Sequence, residues 1–120
     1  MRKTFYSVVT LISDANNLED AKKIFKGIYS NFDKPISDIG LKKYHNDEKS
    51  FQISFKIKQE DNTPDKALKE IGDILGQGWD YTFMEDDEDF TSYAIWNKSD
   101  SSSFISDRIT FANLETYLPS

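Results

Sequence analysis

The chain has no cysteine, one histidine, three prolines and five glycines in 120 residues. Without cysteine it can hold no disulfide framework, no thiolate metal site and no cysteine nucleophile, which favours a reducing compartment. His45 alone supports neither a catalytic triad, which needs a positioned nucleophile beside it, nor a zinc site, which needs further ligands. It sits in the polar segment His45-Asn46-Asp47-Glu48-Lys49 and reads as a solvated turn residue. Also missing are the Gly-x-x-x-x-Gly-Lys phosphate loop, the Gly-x-Gly-x-x-Gly fingerprint and the Gly-x-Ser-x-Gly elbow. Gly76-Gln77-Gly78 stands at the wrong end of a helix to cradle phosphate. No apolar run approaches the roughly 20 residues of a membrane helix. The segment behind Met1-Arg2-Lys3 is broken by Ser7 and Thr10, carries no cleavage signal and reads as a strand. These absences argue against most catalysis and against a cofactor, and they predict a cytoplasmic protein that is not an enzyme.

What is present suffices for one folded domain over residues 1–120. Hydrophobic residues make up 38% and aromatics 14%, enough to build a core at this length. Residues 4–13 are β-branched and aromatic with apolar side chains on both faces, as in a central strand. From Leu18 through Ala21, Ile24, Phe25, Ile28 and Phe32 the apolar positions repeat at helical spacing, with Asn17 as the cap and Pro35 as the stop. Residues 36–45 and 50–58 predict two strands. Phe51, Ile53, Phe55 and Ile57 face one way on the second, Ile39 and Leu41 point inward on the first, and Gly40 marks a bulge or a close approach. Thr63-Pro64 opens a second amphipathic helix that Gly76 closes. A hairpin from 79–84 and 90–96 and further strand material in 104–118 complete the chain. The order predicts an α+β fold, with two helices on one face of a mostly antiparallel sheet, βαββα followed by a hairpin and further strands, in the manner of a ferredoxin-like fold extended at its end.

Charge is unevenly spread. The net charge is −6, yet residues 1–79 hold 13 basic and 12 acidic side chains while residues 80–120 hold 2 and 9. An acidic protein repels phosphate backbones, which excludes direct nucleic-acid binding, and acid gathered in one region suits the steering of a basic partner. Glu85-Asp86-Asp87-Glu88-Asp89 lacks the sixth-position glycine of a calcium loop, where Phe90 stands, so it reads as a solubilising tip or a partner-binding tip, with a small-ligand or calcium-binding domain as the third reading. Pairing Met84 with Phe90 sets Tyr81 opposite Tyr93 and Trp79 opposite Ile95 on the core side. The other side then carries Phe90, Asp80 and Trp96, exposed as an interface unless segment 104–118 covers it; a one-residue slip would exchange the two sides.

With this acidic aromatic hairpin, Tyr93-Ala94-Ile95-Trp96-Asn97 and Ile109-Thr110-Phe111-Ala112-Asn113-Leu114-Glu115, the sequence resembles the small acidic immunity proteins encoded beside bacterial polymorphic or contact-dependent growth-inhibition toxins. The resemblance covers chiefly residues 79–118. It implies a cytoplasmic protein that binds a cognate toxin domain, commonly a nuclease, and blocks its active site or substrate surface. The candidate contact residues follow from charge and hairpin geometry alone: Asp80, Glu85, Asp86, Asp87, Glu88, Asp89 and Asp100 for steering, with Phe90 and Trp96 as anchors. The alternative is a structural or adaptor module, homo-oligomeric through the sheet, whose acids only keep an edge soluble.

Overall fold

The computed structural model describes residues 3–43, 50–61, 63–82 and 91–117. Strand β1 (Lys3–Ser13) is followed by helix α1 (Leu18–Tyr29), strands β2 (Ile36–Lys43) and β3 (Phe51–Asp61), and helix α2 (Pro64–Leu75). Five strands complete the chain: β4 (Gly76–Gln77), β5 (Asp80–Thr82), β6 (Thr91–Asn97), β7 (Ser103–Phe104) and β8 (Ile109–Tyr117). Six of the eight form one antiparallel sheet in the order β2-β3-β1-β8-β6-β5, while β4 and β7 pair separately. The fold is α+β, as the element order predicts. Its first four places, β2-β3-β1-β8, follow the split βαβ arrangement, with β8 as the closing strand and the β5–β6 hairpin added outside it.

Both helices start where their caps predict. Asn17 Oδ1 accepts from the amide of Asp20 at 2.9 Å, and Thr63 Oγ1 accepts from the amide of Lys66 at 3.2 Å. Each bond satisfies an amide that the helix itself leaves unpaired, worth about 1 kcal/mol. Helix α1 ends at Tyr29, short of the predicted Phe32, because Ser30 Oγ and Asn31 Nδ2 both donate to the carbonyl of Gly27 and tighten the chain into a turn. Helix α2 stops at Gly76, where β7 passes so close that a Cβ would lie 2.2 Å from the carbonyl oxygen of Ser103.

The core lies between the helices and one face of the sheet. Alternate residues point into it from each strand: Phe5, Val9 and Leu11 from β1, Ile53, Phe55 and Ile57 from β3, Ala112 and Leu114 from β8, and Ala94 and Trp96 from β6. From the helices come Ala21, Ile24 and Ile28, and Ala67, Leu68, Ile71 and Leu75. The inward face of β3 is as predicted. On β2, however, Ile39 is 52% exposed rather than inward. The strand slips register between Ser37 and Gly40, with Asp38 at φ 53°, and this bulge turns Ile39 out while Leu41 stays half-buried. Gly40 is also a close approach, since a Cβ there would lie 2.9 Å from Ser54 Oγ.

At one end of the inward face the core is polar. Ser7 and Thr116 hydroxyls meet at 2.7 Å across β1 and β8, and Ser92 Oγ donates to Asp65 Oδ1 at 2.6 Å, tying β6 to the first turn of α2. Gln59 and Asp61 are each 5% exposed there. The described residues contain no helix long and apolar enough to cross a membrane.

Candidate partner-binding surface

The hairpin register decides which side chains any partner of the C-terminal third can reach. Strand β5 pairs with β6 as Asp80↔Ile95, Tyr81↔Ala94 and Thr82↔Tyr93, one residue away from the predicted alignment. Side chains alternate with a period of two, so this slip exchanges the faces of β6. Ser92, Ala94 and Trp96 point into the core, and Tyr93 and Ile95 point out, 38% and 36% exposed. On β5, Tyr81 still packs inward, below the sheet, beside Trp79.

Trp96 is therefore not an exposed anchor. It is 2% exposed, its indole N–H donates to the carbonyl of Gln77 at 2.9 Å, and its ring lies 4.7 Å from that of Phe104. Two forces hold it inside: burial of a large apolar ring, and a partner for its single polar group. Phe104 is placed to receive it by the two-residue pairing of β4 with β7. Segment 104–118 covers the Trp96 side of the hairpin only through Phe104, which packs on Trp96 and Trp79. Its main strand, β8, enters the sheet between β1 and β6.

Of the predicted acids, Asp80 is exposed on the outermost strand. Asp100 is exposed too, but in the loop after β6, past the Asn97 end of that strand. Glu85, Asp86, Asp87, Glu88, Asp89 and Phe90 lie outside the described residues, as does His45. A further acid, Glu115 on β8, is exposed directly across from Tyr93. Local sequence does not reveal it, because its place beside β6 depends on strand order.

The two basic residues of this third are occupied. Arg108 Nε donates to Asp14 Oδ1 at 2.5 Å and its Nη2 to Asp20 Oδ2 at 2.6 Å. The Arg108 bond, followed by the backbone amide of Asn16, holds the Asp20 carboxyl below its ordinary pKa, and Asp20 and Asp14 in turn hold the Arg108 guanidinium protonated. Lys98 Nζ donates to the carbonyl of Asp107 at 2.8 Å. A surface hollow of 560 Å3 opens between α1 and residues 104–108, but its arginine and Asp20 are already bound to one another. Among the described residues no three acidic or histidine side chains gather to hold a metal ion.

The outward face of the sheet has its own arrangement. Lys56 Nζ lies 4.5 Å above the ring of Tyr6 and 5.6 Å from that of Tyr117, with Asp38 at 3.9 Å. The Tyr117 hydroxyl first, then the charge of Asp38, raises the pKa of Lys56. Compared with protein-family models, curated proteins and solved structures, the chain matches none of them.

Proposed function

We propose that this protein is an immunity-type inhibitor that binds and neutralises a cognate toxin domain of basic, nuclease type. One observation carries the reading. The acids of the C-terminal third include Asp80 on the outermost strand and the run Glu85–Asp89 between β5 and β6, while the only two cations of that third are committed to other partners. Carboxylates gathered in one stretch of chain with few cations beside them in sequence steer a basic protein and fill a cleft made for phosphate. Phe90 is the aromatic anchor in this reading, and Trp96 has no part in it. The partner is a protein, and neither a cofactor nor a nucleic acid is required.

The test uses the toxin domain that this reading expects an adjoining reading frame to encode. Glu85→Lys, Asp87→Lys and Asp89→Lys together should slow association by about tenfold to a hundredfold at low salt, less at high salt, and weaken protection of cells producing the toxin. A triple variant that associates and protects like the parent overturns the proposal.

A further inference from the structure

Six large apolar side chains are exposed among the described residues, and only Tyr93 and Ile95 stand next to each other on one face of one strand. Their neighbours are set by the register on both sides of β6. Strand β8 pairs Glu115 with Tyr93 and Asn113 with Ile95, while β5 pairs Thr82 with Tyr93 and Asp80 with Ile95. Directly opposed side chains on one face have Cβ atoms about 5 Å apart, so each apolar group has an exposed carboxylate at its side. None of the described outward residues of β5, β6 and β8 is basic. The lysine in register with Glu115 is Lys56, two strands away across Val8, and it lies over the rings of Tyr6 and Tyr117 with Asp38 at 3.9 Å. Glu115 and Asp80 thus meet no cation on their own three strands.

We propose that Tyr93 and Ile95, flanked by Glu115 and Asp80, contact the basic toxin domain, which sits on the outward face of β8, β6 and β5. The inference rests on the immunity reading above and supplies it with apolar anchors that a partner can reach. Exposed on this face, the two side chains add little to the core, whereas a tyrosine beside an aliphatic group, ringed by polar ones, is the make-up of an interface hot spot. The charge names the partner. Lysine and arginine bring N–H donors and no acceptor, which suits a patch whose only charged groups are carboxylates. A second copy laid patch to patch would set Glu115 and Asp80 against the same acids, so a basic protein is favoured over a copy of this chain. The run Glu85–Asp89 joins the two strands β5 and β6 that carry three of the four patch residues, so steering acids and anchors belong to one stretch of chain.

Binding kinetics with the toxin domain expected from an adjoining reading frame test it, using the parent, Tyr93→Ala, Glu115→Lys and the triple variant of residues 85, 87 and 89 described above. Tyr93→Ala should raise Kd at least about tenfold, chiefly through faster dissociation, while its urea midpoint stays near the parent's. Glu115→Lys should slow association by about threefold to tenfold at low salt and less at high salt. Circular dichroism checks folding, and Ile95→Thr replaces Tyr93→Ala if the latter melts early. If Tyr93→Ala and Glu115→Lys bind like the parent while the triple variant weakens, this face is not the contact and the immunity reading stands. If they weaken binding and the triple variant does not, the face stands and the acidic run is not the contact. A parent that binds no such domain, or a gene with no such neighbour, overturns both. Sedimentation equilibrium covers the remaining occupant: a parent dimer that Tyr93→Ala dissociates would give the face to a second copy and overturn the proposal.

Discussion

Replacing Trp96 with alanine separates a core role from a contact role. The side chain is 2% exposed, sits 4.7 Å from Phe104 and gives its N–H to Gln77. Truncation removes the ring and leaves a cavity, costing about 3–5 kcal/mol. It also takes the donor from the Gln77 carbonyl, adding up to about 1 kcal/mol. Against a stability of about 5–15 kcal/mol for a whole domain, the variant stands near the edge of folding. Trp96→Phe keeps an aromatic ring and loses the hydrogen bond, so about 1–2 kcal/mol is expected. Tyr93→Ala, three residues away on the same strand but on the outward face, should cost about 1 kcal/mol or less. Urea titration followed by far-ultraviolet circular dichroism measures all three, since a change in midpoint at constant slope reports stability alone. At this chain length Trp96→Ala should also lower Tm by roughly 12–20 °C. If Trp96→Ala cost under about 1 kcal/mol, or if Tyr93→Ala cost more than Trp96→Ala, the hairpin register described above would be wrong by one residue.

Two further predictions concern charge and burial. Asp20 has its pKa lowered by Arg108, so the stability it contributes is present above the ordinary aspartate range and is lost as pH falls through its depressed value. The difference in urea midpoint between the parent and Arg108→Ala should therefore be full at neutral pH and shrink below that range; a difference independent of pH down to the acid transition would show that the ion pairs are not its source. Gln59 is 5% exposed, and neither end of its amide has a hydrogen-bond partner among the described residues. Gln59→Met, similar in shape and without the buried amide, should be neutral or stabilise by about 1–2 kcal/mol, whereas a loss above about 1 kcal/mol in thermal melting would reveal a partner for that amide.

Local signals were legible wherever a short stretch of chain decides its own state. The caps Asn17 and Thr63, the proline at the start of α2, the alternation of Phe51, Ile53, Phe55 and Ile57, and the central place of β1 all follow from neighbours a few residues apart. The end of α1 was read three residues late because Phe32, though buried, joins the core from a turn rather than from the helix. Ile39 was misplaced because a bulge adds one residue to β2, and alternation cannot be carried across it. Gln59 and Asp61 gave no sign of burial, since polar residues at a strand's end look like its exit from the sheet. The candidate site was legible as charge, not as surface: Asp80 was found, but Glu115 and Tyr93 come together only because β8 pairs with β6.

The α+β class, the two helices and their starts, and the gathering of acid in the last third follow from local pattern, because propensity, period and charge are properties of neighbouring residues. Long-range packing sets the rest: β8 runs between β1 and β6, the hairpin pairs one residue away from the alignment its ends suggest, and Trp96 is therefore inside and Tyr93 outside. The physical reason is the two-residue period of a strand. A shift of one residue costs the local sequence almost nothing, while against a core built on one face it reverses every side chain, so the choice belongs to the packing of Trp96 on Phe104 and not to the hairpin.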